Sequence, residues 1–187
     1  IAILDDLRID ETNYFGYSLG AQVGYRAAIT HANRFNSFII CGMTPYAYPE
    51  TWVQNTKFII EAMKESLKGF DVMIEYLEKA MGQTLSDERK AWWENRLQNV
   101  DAEAMVQVFT AEMELAPLTN NDLEKITLPV LVYCGADDSF HEGAEESTKH
   151  IPNSKFISLP DHDHMSSFND IDTILPQIKE FLTKFNK

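Results

Sequence analysis

The stretch Gly16-Tyr17-Ser18-Leu19-Gly20 constrains the fold more than any other part of this sequence. It is a G-x-S-x-G pattern, preceded by a short aromatic run, NYFGY, and followed by SLGAQVGYRAAITHANR, whose apolar residues recur at helical spacing. A serine on so sharp a strand-to-helix turn has strained backbone angles, and its neighbours two residues away nearly touch. Gly16 and Gly20 carry no Cβ and permit that approach. The Ser18 hydroxyl is then lifted out of the sheet, with a helix N-terminus behind it that favours developing negative charge. The Leu19 N–H points at a reacting oxygen as an oxyanion donor. The competing reading is an ordinary strand-to-helix turn with Ser18 as a cap.

The rest of the chain alternates in the same way. Strands are expected at 13–17, 38–41, 130–134 and 156–159, each a continuous apolar run of the kind buried on both faces. Helices are expected at 18–34, 51–68, 72–81, 87–99, 102–115, 142–150 and 172–185. Gly69 and Gly82 serve as stops, and Ser86 and Asp101 as N-caps. Strands alternating with helices predict an α/β fold, a parallel sheet with helices on both faces. The helical stretch 46–128 is too long for a simple crossover, so it is read as an inserted helical cap. The sheet domain is then 1–45 and 129–187.

A serine hydroxyl is a weak nucleophile until a base takes its proton, and the base needs a carboxylate to orient it. Of five histidines, His31 sits late in a helix, and His141 and His150 flank a charged helix. His162 and His164 lie in PDHDHMSSF, a loop just after the fourth strand. Loops at the carboxyl ends of parallel strands are where open α/β sheets build their sites. Asp137 and Asp138 follow the third strand in YCGADDSF, so the chain order serine, acid, histidine holds. At this level either aspartate and either of the two late histidines fits.

Composition removes other classes. The formal net charge of −13 disfavours nucleic acid and anionic membrane surfaces as partners. No run of about 18 apolar residues is present to span a bilayer. The two cysteines, Cys41 and Cys134, are too few for a disulfide framework and read as buried free thiols, consistent with a reducing, cytoplasmic setting. No metal or cofactor is expected. The chain opens at Ile1 in what reads like the tail of a helix, without a secretory signal pattern, and is expected to be a fragment, a processed product or a shortened chain.

Three blocks together resemble the α/β-hydrolase superfamily, in its serine-nucleophile branch with a helical cap. LRIDETNYFGYSLGAQVGYRAAITHANRFNSFIICG is similar to that family's nucleophile elbow strand, elbow helix and following strand. ITLPVLVYCGADDSF is similar to its acid-bearing strand and loop, and LPDHDHMSSFNDIDTILPQIKEFL to its histidine loop and last helix. The family's G-x-x-D pattern, counted from Gly135, implies Asp138 rather than Asp137. An Asp-His pair closing the loop ahead of a Phe implies His164 rather than His162. The resemblance further implies additional strands before the elbow, one of whose loops supplies a second oxyanion N–H. Within these 187 residues the elbow strand is therefore expected at a sheet edge. A second copy, a companion segment or a longer chain would complete the sheet.

The implied activity is a serine esterase acting on a small acyl substrate through a catalytic triad, with Ser18 as nucleophile, His164 as base, Asp138 as orienter and Leu19 as oxyanion donor. Tyr17, Trp52 and Phe109 are the candidate substrate-binding side chains. Trp92, Trp93, Phe58 and Phe70 join Trp52 and Phe109 as the cap's aromatics, each read more readily as cap core, with pocket lining left to a few. The alternatives are a non-catalytic binding or interaction protein of the same fold, or the same triad used for C–C cleavage, lactone opening or acyl transfer. Ser18 argues against epoxide hydrolase and haloalkane dehalogenase chemistry, which needs an Asp at that position.

Overall fold

A computed structural model describes residues 1–66, 74–75, 78, 84–97 and 101–185. The four apolar runs form one parallel sheet: β1 (Thr12–Tyr17), β2 (Phe35–Cys41), β3 (Val130–Gly135) and β4 (Ser154–Leu159), side by side in that order. β2 and β4 begin earlier than the apolar runs do. Backbone ladders accept polar residues, and Ser37 pairs with Asn13 in register while its hydroxyl donates to Asn13 Oδ1 at 2.7 Å. Among the described residues β1 pairs with β2 alone, and its Phe15 is 49% exposed, as expected of an edge.

Alternate strand residues point to opposite faces, and each face has its own cover. On one face Ile39, Cys41, Leu131, Tyr133 and Leu159 cluster with Ile174 and Phe181 of the closing helix α9 (Ile171–Phe185). On the other lie α2 (Leu19–Thr30) and α7 (His141–Thr148), joined by a Tyr25–Ser147 hydroxyl contact at 3.1 Å between two fully buried residues. α2 stops at Thr30, short of the expected 34, and Ala32–Arg34 forms a separate tight turn. Arg34 reaches back from that turn to the carbonyls of Ile9 and Asp10, both at 2.9 Å, and so ties down the segment after α1 (Ala2–Asp6).

The chain divides into two compact units, Ile1–Ala47 with Pro117–Lys187, and Tyr48–Ala116. The expected cap of 46–128 is thus too long at its end. Residues 117–128 belong with the sheet because Leu118 N–H donates to the Pro45 carbonyl at 2.9 Å and Leu123 and Ile126 are fully buried. Leu123 ends a short helix, α6 (Asn120–Leu123), opened by a Thr119–Asp122 capping box that the sequence reading missed. In the second unit α3 (Glu50–Ser66) packs on α5 (Ala102–Glu114) through Ile59, Ile60, Met63 and Val106. The expected caps hold: Ser86 Oγ accepts from Arg89 N–H ahead of α4 (Asp87–Leu97), and Asp101 Oδ1 from Ala104 N–H. The helix expected at 72–81 lies mostly outside the described residues, as do its stop Gly82 and Gly69, the stop expected for 51–68. No helix among the described residues is long and apolar enough to cross a membrane.

Leu131, wholly buried in β3 between its neighbours, is the test of this core. Leu131→Ala is expected to cost about 2–5 kcal/mol in urea denaturation, with the denaturant slope unchanged.

Candidate active site

The turn between β1 and α2 has the strain that its glycines foretell. Ser18 has φ 54° and ψ −120°, outside the usual basins for an L side chain. Its N–H donates to the Cys41 carbonyl at 2.9 Å, and its own carbonyl accepts from Ala21 N–H at 2.8 Å. A Cβ at Gly16 would stand 2.4 Å from the Gly20 carbonyl oxygen, so only glycine allows this approach. The expectation for Gly20 is corrected: a Cβ there meets nothing nearer than the Tyr14 hydroxyl at 4.0 Å. The contact is made by the Gly20 backbone, not by a missing side chain. Leu19 opens α2, where first-turn N–H groups have no acceptor within the helix.

The loop after β3 carries Asp137 and Asp138. Asp138 is buried, with its side chain 1% exposed, and its Oδ1 accepts from Phe140 N–H at 3.0 Å. Its Oδ2 lies 2.7 Å from His164 Nδ1, and His164 Nε2 lies 3.1 Å from Ser18 Oγ. A carboxylate accepts, so Nδ1 carries the proton and Nε2 offers its lone pair to the Ser18 hydroxyl. The serine, imidazole and carboxylate are joined in one line of contacts. In that state the serine can lose its proton to Nε2 as it attacks a carbonyl carbon.

The residues left open by the sequence are used elsewhere. Asp137 is exposed, and its N–H donates to the His162 carbonyl at 2.9 Å. His162 turns away from Ser18, with Nδ1 2.6 Å from the Pro160 carbonyl and Nε2 3.0 Å from Asp170 Oδ2. His31 pairs with Thr30, His141 with Ser158 and His150 with Glu146. Cys41 and Cys134 are buried and free, and burial pushes both thiols upward in pKa. Among the described residues no group of three His, Cys, Asp or Glu side chains is placed to hold a metal ion.

The predicted substrate-binding set fares unevenly. Tyr17 does not offer its hydroxyl to a ligand; it contacts the His164 carbonyl and Ser167 Oγ, each at 2.7 Å. Trp52 and Phe109 belong to the other unit, where Trp52 packs on Tyr48 at 4.2 Å between centroids and Phe109 packs on the α3–α5 core. Phe58 and Trp92 are more than half exposed, and Phe70 and the Trp93 side chain lie outside what is described. An open groove between Val130, Ser154, Lys155, Phe181 and Lys184 lies at the amino ends of β3 and β4, the end opposite the Ser18 line.

The histidine segment proved to be a helix, α8 (His164–Asn169), where a loop was expected. Asp163 caps it, accepting from Met165 and Ser166 N–H at 2.9 and 2.7 Å, while Ser166 Oγ accepts from Asp163 N–H at 2.8 Å. The D-x-x-S spacing of Asp163 and Ser166 was the available signal. Burial pushes the Asp163 carboxyl up, but the hydrogen bonds from Ser166 and Met165 outweigh it and hold the group below its usual range. His162 is raised, by the Pro160 carbonyl first and then by Asp170.

These shifts set a pH window for the segment. A raised histidine contributes fully below its unfolded value of about 6.5 and loses that contribution as pH climbs through the folded value. A depressed aspartate contributes fully above about 3.9 and loses it as acid protonates the folded group. The stability gap between the chain and His162→Gln is therefore expected to be widest below about pH 6.5 and to close in alkali, read from thermal melts across pH. At the turn, Gly16→Ala is expected to cost about 1–3 kcal/mol through overpacking. Gly20→Ala is expected to stay within about 0.5 kcal/mol, so the pair of melting curves separates the two glycines.

Comparison with known proteins agrees with this architecture. Residues 2–170 match the protein family described as alpha/beta hydrolase fold. The chain is 24% identical over 192 residues to a Bacillus subtilis (strain 168) protein named "Putative 2-succinyl-6-hydroxy-2,4-cyclohexadiene-1-carboxylate synthase", across 97% of this chain and 69% of that protein. The enol-lactonase from Burkholderia xenovorans LB400 is similar in structure, with TM-score 0.75 and 21% identity over 97% of this chain and 69% of its own. A structure from work on carboxylesterases of the Thaumarchaeon Nitrososphaera gargenis gives TM-score 0.83 at 18% identity, over 98% and 69%. At these identities the two structures speak for fold. The family match spans most of the chain and the two structures share its fold: this chain belongs to the alpha/beta hydrolase fold family.

Proposed function

We propose that the chain is a serine hydrolase that cleaves a small ester through an acyl-enzyme. The observation that carries the reading is the continuous line from Ser18 Oγ to His164 Nε2 at 3.1 Å and from His164 Nδ1 to Asp138 Oδ2 at 2.7 Å. Ser18 Oγ adds to the ester carbonyl carbon while its proton passes to His164 Nε2. The carbonyl oxygen becomes an oxyanion, and Leu19 N–H donates to it at the positive end of α2. Collapse breaks the bond to the leaving oxygen, which departs as the alcohol with the proton returned by His164. Water then gives a proton to the same nitrogen and its hydroxide equivalent adds to the acyl carbon. A second collapse releases the carboxylic acid and restores the Ser18 hydroxyl. Asp138 keeps the imidazole in the one tautomer that can do this and stabilises it while charged.

A lactone carbonyl presents the same electrophile to the same three groups. The likeness to an enol-lactonase supports including lactones in the substrate panel. The test is labelling by a fluorophosphonate, followed by hydrolysis of short 4-nitrophenyl esters and lactones. The expected result is one adduct on Ser18, absent from Ser18→Ala, with ester turnover lower by roughly 10⁶ in that variant and by roughly 10⁴ in Asp138→Asn. An unlabelled chain, or equal labelling of Ser18→Ala, would favour a binding protein built on the hydrolase fold.

A further inference from the structure

Tyr17, the residue before Ser18, ends β1 with its ring among Phe168, His164 and Tyr133, at centroid separations of 4.9, 5.3 and 6.0 Å. Its hydroxyl lies 2.7 Å from the His164 carbonyl oxygen, which only accepts, so the phenol donates. The Tyr17 hydroxyl oxygen lies 2.7 Å from Ser167 Oγ, and Ser167 is fully buried with its hydroxyl 2.8 Å from the Asp163 carbonyl. Gly42, at φ +62°, makes room behind the ring: a Cβ there would stand 2.5 Å from Tyr17 Cζ. Burial pushes the phenol upward in pKa, so it remains a donor throughout the neutral range.

We propose that Tyr17 is a positioning residue whose hydroxyl sets the reach of His164 toward Ser18; the role rests on the serine hydrolase reading. Asp138 holds the imidazole at Nδ1, and the rings of Tyr17 and Phe140 flank it at centroid separations of 5.3 and 5.7 Å. Those contacts act on the ring and leave the peptide it springs from, at the first residue of α8, to be held separately. The Tyr17 hydroxyl is an anchor on that peptide, at the His164 carbonyl. That anchor and the Nε2 contact both end on adjacent residues, Tyr17 and Ser18, so the base is gauged against the strand that carries the nucleophile. Small displacements of a proton acceptor cost rate far more than they cost stability.

Tyr17→Phe deletes the hydroxyl and keeps the ring. With 4-nitrophenyl acetate, kcat is expected to fall about tenfold while KM stays within about twofold. Fluorophosphonate labelling of Ser18 is expected to slow by the same factor, and the melting temperature to stay within about 2 °C. In chain labelled with ¹⁵N-histidine, the downfield Nδ1–H resonance of His164 is expected to shift or broaden. Ser167→Ala probes the same network with the phenol intact, and the double variant is expected to be no slower than Tyr17→Phe, since the two hydroxyls act as one unit. Equal kcat with an unmoved resonance in Tyr17→Phe overturns the proposal. A native chain that neither labels nor hydrolyses esters or lactones overturns the serine reading instead, and the His164 resonance then decides the positioning role by itself.

Discussion

The site depends on a serine held where a serine does not want to be. A non-glycine residue at positive φ costs on the order of 1–3 kcal/mol and persists only when its surroundings over-determine it. Here they do. Ser18 N–H is bound to the end of β2, the Gly16 and Gly20 backbones touch, and the Tyr14 hydroxyl donates to the Gly20 carbonyl at 2.7 Å. The parallel pairing of β1 with β2 therefore supports more than the sheet. It supplies the carbonyl of Cys41 that holds the turn closed, and the turn aims the hydroxyl at His164.

Much of this was legible because it is local. A serine between glycines, ahead of a helical run, states its own strained turn, and the four apolar runs state the strands of the sheet; burial on both faces holds for the central β2 and β3 but not for β1 and β4 at the edges. The choice between Asp137 and Asp138, and between His162 and His164, was legible only through resemblance. Nothing in the immediate sequence says which of two adjacent carboxylates turns inward. The structure separates them by burial and by partners: Asp138 is enclosed with a backbone donor, and His162 is occupied by Pro160 and Asp170. The boundary of the cap misled because the segment 117–128 is polar and turn-rich, yet Leu123 and Ile126 are buried against the sheet unit. Tyr17 misled because an aromatic beside a nucleophile invites a ligand, whereas its hydroxyl has an internal acceptor 147 residues away in the chain.

The polar groups around His164 divide into two sets with different duties. Asp138 and Tyr17 touch His164 itself, one at the ring and one at the backbone. Asp163, Ser166, His162 and Asp170 bond to one another and to the chain on either side of His164, Thr173 of α9 included, and they fix the short helix that His164 begins. The first set determines where the imidazole points. The second determines whether there is a firm segment for it to point from.

Ser18 and His164 lie 146 positions apart, and the bond between them exists only when β1, β2, β3 and β4 have all found their partners. Parallel pairing closes long loops before it is rewarded, which makes such topologies slow to form. A partly paired sheet does not bring the two residues together. The Ser18–His164 contact is therefore a late-arriving property of the polypeptide, gained only after the long-range pairings of the sheet have closed.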